Sequence, residues 1–385
     1  MTSQRVVIVR ATLLHAAGAP LRSTRVQVGF LAGLLALWVL RAVTIYRDPA
    51  LGGIFRWIGV DFGTYYTQAS AFAAGRLEAL YSPAALEPFR HALAAYTSDP
   101  ATLLRPEITP YPPLFASLLS PLTSLSPPLA FALWTALNVV LALGLAWRVA
   151  TFFPVQQRVP VALLMLVSVP LAYTILLGQV QIFLALAIGE AFLALRSGRE
   201  FRAGVWLAAL IIKPQYLILL GPVLVWKRRW RALGGFAAGT GLILGASALV
   251  AGPSSLAAYL GSILELGGVS GGGILPNTFP EHMVNWRALV LAVPGGLGSG
   301  MNLPITLLLS GLTVVAILPA WRGPWRPTNP RFAGQVTLLL LATILATYHS
   351  HAYGPLLLAV PLAAHLSSGR PVRVRARLLD TGCSV

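Results

Sequence analysis

Residues 196–231 read RSGREFRAGVWLAALIIKPQYLILLGPVLVWKRRWR, an apolar stretch closed at both ends by basic clusters and interrupted at its middle by Lys213-Pro214-Gln215. Proline breaks the helical hydrogen-bond ladder, and a lysine at the centre of a bilayer is costly. A single crossing would put Arg196, Arg199 and Arg202 on one side of a membrane and Lys227, Arg228, Arg229 and Arg231 on the other. Loops rich in Lys and Arg collect on the cytoplasmic side. A hairpin of two short helices over 203–226, with Lys213-Pro214-Gln215 at its outer tip, keeps both clusters together.

The rest of the chain follows the same rule. Hydrophobic residues make up 56% of the 385 and charged residues 10%, against about a quarter charged in a soluble domain. Apolar runs suited to ~30 Å of hydrocarbon recur at 26–46, 128–147, 159–177, 180–196, 232–251, 303–320, 333–348 and 354–367. The basic segment 1–25 precedes a full apolar run with no small-residue cleavage site, which reads as a retained anchor rather than a signal peptide. Whether 112–125 and 286–297 cross is open from the sequence. If 112–125 does not cross, Arg148, Arg158, Arg322, Arg326, Arg331 and the arginines of the tail all join Arg5, Arg10, Arg22 and Arg25 in the cytoplasm.

The expected fold is therefore all-α: a polytopic helical membrane protein of about ten membrane helices, forming one integral membrane domain over 1–385. Its parts are a cytoplasmic segment 1–25, a long first outer loop 47–111, a second outer loop 252–300 and a basic cytoplasmic tail 368–385. It sits in the cytoplasmic membrane as a multi-pass protein with both termini inside. The net charge of +17 is the charge of these loops and membrane-facing ends, not a nucleic-acid footprint. Cys383 is the only cysteine, so neither an intrachain disulfide nor a cysteine metal cluster forms. No cofactor is expected, with a divalent metal left open.

This topology sorts the acidic residues. Asp48, Asp61, Glu78, Glu87, Asp99, Glu107, Glu265 and Glu281 fall outside, and only Glu190, Glu200 and Asp380 inside. Asp61, in Asp61-Phe62-Gly63-Thr64-Tyr65-Tyr66, is a functional candidate because an acid at a membrane mouth is costly. It is also a plausible helix N-cap, with Thr64 three residues on. Tyr111-Pro112-Pro113-Leu114 closes the same loop and makes Tyr111 a candidate wall of a site. In Gly178-Gln179-Val180-Gln181 the two amides either bind a sugar hydroxyl or satisfy a tight turn. Lys213 either snorkels to headgroups or meets an anion, and a helix starting after Pro214 suits a phosphate. In the second outer loop, Asn285, Trp286 and Arg287 follow Glu281-His282, and Arg287 is either a bidentate phosphate ligand or an interfacial arginine. Tyr348-His349-Ser350-His351-Ala352-Tyr353 joins two spans and offers a ligand or proton role.

These landmarks together resemble the polyprenol-phosphate-sugar-dependent glycosyltransferases of the GT-C superfamily, and most closely glycosyltransferase family 87. The resemblance runs in order through Asp61-Phe62, Tyr65-Tyr66, Gly75, Leu80-Tyr81-Ser82-Pro83, Tyr111-Pro112-Pro113-Leu114-Phe115, Trp134 with Asn138, Gly178-Gln179, Ala203-Gly204, Lys213-Pro214, Arg228-Arg229-Trp230-Arg231 and His349-Ser350-His351-Ala352-Tyr353. The chain departs from it at Ser82 and Gly354, where members often carry an acidic residue.

The resemblance implies a membrane glycosyltransferase that moves a sugar, mannose first among candidates, with inversion. The donor is a polyprenyl-phosphate sugar, and the acceptor is a glycolipid or cell-envelope glycan outside the cytoplasm. It implies Asp61 as general base and Lys213, Arg287, His349 and His351 around the donor phosphate. Tyr65, Tyr66, Tyr111, Gln179, Gln181, Asn285 and Tyr353 are then candidates for substrate contact. Lipid phosphate as leaving group removes the need for a nucleotide site, in keeping with a sequence lacking a Gly-rich phosphate loop. The rival class is a transporter or flippase for a lipid-linked or polar solute, but no internal repeat supports alternating access.

Overall fold

The computed structural model describes residues 23–47, 54–55, 58–97, 109–266, 282–293 and 300–368. The segment 1–22, the tail 369–385, Asp48, Asp99, Glu107 and Glu281 lie outside the described residues. Among the described residues the structure is helical, with isolated bridges in place of strands.

The helices, in chain order, are α1 (Thr24–Arg47), α2 (Val60–Ala73), α3 (Glu87–Ala94), α4 (Pro113–Leu119), α5 (Pro127–Ala150), α6 (Val155–Leu166), α7 (Val169–Leu177) and α8 (Gln181–Arg196). They continue as α9 (Glu200–Leu207), α10 (Leu217–Trp226), α11 (Trp230–Leu266), α12 (Trp286–Leu291), α13 (Asn302–Trp321), α14 (Arg331–Ala346) and α15 (Ala359–Ser367).

Where the sequence leads to about ten membrane helices, four among the described residues are long and apolar enough to cross: α1, α5, α11 and α13. Counting α6 and α7 as one bent span gives a fifth. That pair bends by 49° where Ser168 is extended ahead of Pro170, whose missing N–H cannot bond into the preceding turn. The other apolar stretches form shorter elements. Helices α8 and α14 have 16 residues each, about 24 Å of rise, short of ~30 Å of hydrocarbon. They need not match lipid, because they are buried in the bundle. The segment 112–125 folds as α4, of 7 residues, and the 3₁₀ turn Ser120–Ser124, and α12 has 6 residues. Neither element crosses.

The 203–226 segment does return to its starting end. Glu200 Oε1 and Arg229 Nη1, which flank it, lie 3.1 Å apart. Between them α9 runs into the 3₁₀ turn Ala208–Ile212, the chain breaks at Lys213 (φ −132°, ψ 74°), and Pro214–Tyr216 leads into α10. The other basic loops meet at the same end. Arg148 Nη2 is 2.6 Å from Glu190 Oε1, and Arg202 Nη2 is 4.0 Å from Glu190 Oε2. Lys227 Nζ donates to the Gly323 carbonyl at 2.9 Å. Helix α8 links this basic end, at Arg196, to the opposite end, at Gln181.

Small residues allow the hairpin to seat. A Cβ on Gly204 of α9 would strike the Ala232 carbonyl oxygen, and one on Gly235 of α11 would strike that of Phe201. Only glycine lets these backbones approach so closely. Helix α11 itself breaks at Gly252 (φ 79°, ψ 160°) before Pro253, so its last part, 254–266, is kinked away from the axis of the first. There Ser255 Oγ donates to the Leu77 carbonyl at 3.2 Å and Tyr259 Oη to the Ile211 carbonyl at 3.2 Å. The segment after Gly252 thus touches both the 77–79 turn and the 3₁₀ turn that leads to the hairpin tip.

Candidate active site

Five separate segments converge at the end away from the basic loops: α2, the stretch ahead of α4, the turn after α7, the hairpin tip and the 348–353 turn. Asp61 lies in the first turn of α2, where a helix N-terminus favours negative charge. The N-cap is Gly59, not Asp61, so the acid is not spent on capping.

Gln179 follows the end of α7. Gly178 terminates that helix in the left-handed region (φ 74°), and a Cβ there would come within 2.7 Å of Phe62 Cβ. Only glycine satisfies both demands. Trp134 Nε1 donates to the Gly178 carbonyl at 2.8 Å and pins the turn. Gln179 is therefore delivered against the first turn of α2 by backbone geometry.

Its side chain is the hub of the site. Gln179 Oε1 accepts from Lys213 Nζ at 2.8 Å and from Tyr65 Oη at 2.9 Å. Two donors on one atom fix the orientation of the amide. Gln179 Nε2 then donates to Asp61 Oδ2 at 2.7 Å, with Tyr353 Oη 3.3 Å away. Lys213 Nζ also lies 3.5 Å from Gln181 Oε1 and 4.3 Å from the centroid of the Tyr353 ring. Tyr65 and Tyr111 hydroxyls are 3.2 Å apart, closing one wall. Burial raises the Asp61 carboxyl above the ordinary carboxylate value, partly offset by the Gln179 amide and the Lys213 charge.

The histidine turn borders this cluster. His351 packs against the Tyr353 ring with centroids 5.3 Å apart, and His351 Nε2 is 3.0 Å from His349 Nε2. Burial, then His351 and the charges of Lys213 and Arg287, push His349 down to about 3. Burial, then Lys213 and His282, push His351 down to about 4. Two neutral imidazoles make such a contact only as one donor and one acceptor. His349 Nδ1 is buried without a hydrogen-bond partner.

A short antiparallel contact carries the turn: Val284 N donates to the Ser350 carbonyl and Ala352 N to that of His282, each at 2.8 Å. Asn285 Nδ2 donates to the Thr347 and Tyr348 carbonyls at 3.0 and 3.1 Å, while its Oδ1 caps α12 at Ala288 N. Its hydrogen-bonding capacity is used in holding the turn. The Arg287 guanidinium sits 4.1 Å from the centroid of the Tyr348 ring, one residue from His349.

Of the sequence candidates, the structure gathers Asp61, Tyr65, Tyr111, Gln179, Gln181, Lys213 and Tyr353 in one network, with His349, His351 and Arg287 at its border. Tyr66 points elsewhere, its hydroxyl donating to the Leu125 carbonyl at 2.9 Å. Tyr216 was not foreseen. Its hydroxyl accepts from Gln181 Nε2 at 3.4 Å, and its position three residues after Lys213 was the available signal. Among the described residues, no group of three or more His, Cys, Asp or Glu side chains is arranged to hold a metal.

Residues 109–366 match the family model described as Glycosyltransferase family 87. No curated protein and no solved structure matches the chain. The match begins beyond Asp61, so the place of that carboxylate in the site rests on its bond to Gln179.

Proposed function

Because the chain belongs to glycosyltransferase family 87, and is thus an EC 2.4 enzyme with a sugar donor and an acceptor, we propose that it moves mannose, with inversion, from a polyprenyl phosphate to a lipid-linked or cell-envelope glycan. Asp61 is the general base. Inverting transfer needs one carboxylate to take the acceptor proton as the hydroxyl attacks the anomeric carbon. Gln179 holds Oδ2 of Asp61, and Oδ1 is the oxygen that receives the proton.

The departing phosphate develops a second negative charge, which fixed donors stabilise best when they are already in place. Lys213, Arg287 and the His349–His351 pair supply them. The buried, unpartnered Nδ1 of His349 supports this reading, since such an atom is costly without a ligand. Tyr65, Tyr111 and Tyr353 line the space between base and cation. The site faces outside the cytoplasm, opposite the basic loops.

The observation that carries the proposal is the Gln179 amide bridging a carboxylate and a lysine from distant parts of the chain. Membranes containing Asp61→Asn should lose transfer from labelled polyprenyl-phosphate mannose by about a thousandfold. Full activity in that variant overturns the assignment of the base. An impermeant thiol reagent should label Thr64→Cys and Ser350→Cys from outside and leave Arg229→Cys untouched. The reverse pattern overturns the sidedness.

A further inference from the structure

We infer that Gln179 is a positioning residue that holds Asp61 and Lys213 as an amide-bridged pair, keeping base and cation out of direct contact throughout the transfer. The inference rests on the reading of Asp61 as general base and assigns Gln179 a task other than touching the sugar.

The geometry points there because both ends of the amide are taken. Oε1 holds Lys213 at 2.8 Å and Tyr65 at 2.9 Å, and Nε2 holds Asp61 at 2.7 Å. Gln179 is 5% exposed and both ends of its amide are taken, so it has no free polar end to offer an incoming sugar. The groups facing Asp61 are Lys213 from the hairpin tip, Tyr65 from α2, Tyr111 ahead of α4 and Tyr353 from the histidine turn. Lys213 is the one cation among them. In direct contact it would depress the basicity of the carboxylate, as opposite charges within a few ångströms do. With the amide between, Asp61 keeps more of its basicity, while its charge, felt through the amide, opposes the burial that pulls Lys213 down to about 7.

Charge balance gives the arrangement a use. The acceptor O–H bond and the donor's anomeric C–O bond break, and the new glycosidic C–O bond forms. The proton goes to Asp61, and the electron pair leaves with the phosphate. Asp61 therefore loses its negative charge as the phosphate gains one. Lys213 cannot swing toward either group, being held by Gln179, Gln181 and the Tyr353 ring. Its fixed field shifts from serving the carboxylate to serving the phosphate without motion, which is the condition under which electrostatic stabilisation is most effective.

The test uses the full chain in nanodiscs and needs no turnover. The protonated-carboxyl infrared band of Asp61, identified by its loss in D61N, is titrated in Q179L and Q179A. Leucine keeps the volume but removes the donor, so the midpoint should rise by about one unit. Alanine opens the gap, Lys213 reaches Asp61, and the midpoint should fall by a similar amount. The fall should vanish in Q179A/K213M. Midpoints that move in the same direction in both variants, or in neither, overturn the inference. With polyprenyl-phosphate mannose as donor, the acid limb of the rate profile should move with the midpoints while donor KM changes less than about threefold. Activity in D61N would sink the base assignment alone, because the infrared shifts report on Gln179 independently.

Discussion

Helices α13 and α8 are both apolar, at 20 and 16 residues, yet they do opposite work. Helix α13 is almost wholly uncovered by the rest of the protein, and Leu307, Leu308, Leu312 and Val315 face outward. In α8, by contrast, Ile182, Leu184, Ala185, Ile188, Ala191 and Phe192 are buried along with Gln181. A helix in contact with lipid has to match the hydrocarbon thickness and satisfy its backbone within it. One surrounded by other helices can end early, because the protein itself receives its polar terminus. Gln181 at the start of α8 and Gln179 just before it are such received groups. The buried polar network of this molecule collects where buried helices stop short.

Substitutions that separate the two environments should differ sharply. The largest effect is expected at Lys213→Met, which removes the buried cation from the bridged pair. Turnover should fall about a thousandfold, and donor KM should change far less. A variant that keeps turnover within tenfold of the native enzyme breaks the link between the buried helix ends and catalysis.

Gly204→Val comes next, at the seam between α9 and α11 where a side chain meets the Ala232 backbone. It should cost about 3 kcal/mol in thermal or denaturant unfolding in detergent. Asn285→Ala removes a helix cap and two bonds to the histidine turn. A loss of about 1–2 kcal/mol is expected, with weaker binding of the donor if the turn holds its phosphate. The smallest effect belongs to Leu249→Ala on the outward face of α11, where the side chain is 88% exposed. Stability should stay within about 0.5 kcal/mol and activity should be unchanged. A large loss there would mean that this face is covered by protein rather than lipid.

Legibility in the sequence follows the same division. Apolar run length located α1, α5 and α13 closely, because lipid exposure imposes length directly. It overcounted the rest, because a buried helix can be as apolar as a lipid-facing one and still be too short to cross. The hairpin was legible from charge alone: the tendency of basic loops to collect on one side of a membrane puts 196–202 and 227–231 at one end, and the Glu200–Arg229 pair joins them there. The bend between α6 and α7 was not read, although Pro170 marked it. Asp61 was picked out by the cost of placing an acid near a bilayer, whereas its capping role failed because Gly59 takes that position. Tyr66 and Tyr65 look alike in sequence, and only the helix rotation of α2 sends one to Leu125 and the other to Gln179.

By itself the sequence determined a multi-pass helical membrane protein, a glycosyltransferase resemblance, and the gathering of its polar residues away from the basic loops. Those conclusions depend on composition, period and charge bias, which are properties of the chain read along its length. That Gln179 stands between Asp61 and Lys213 was decided by the tertiary structure. Residues 118 and 34 positions from Gln179 in the chain meet there through the left-handed turn at Gly178, the packing of Phe62 against it and the return of the hairpin. No local rule links such positions, because their distance is set by how helices pack rather than by what each prefers alone.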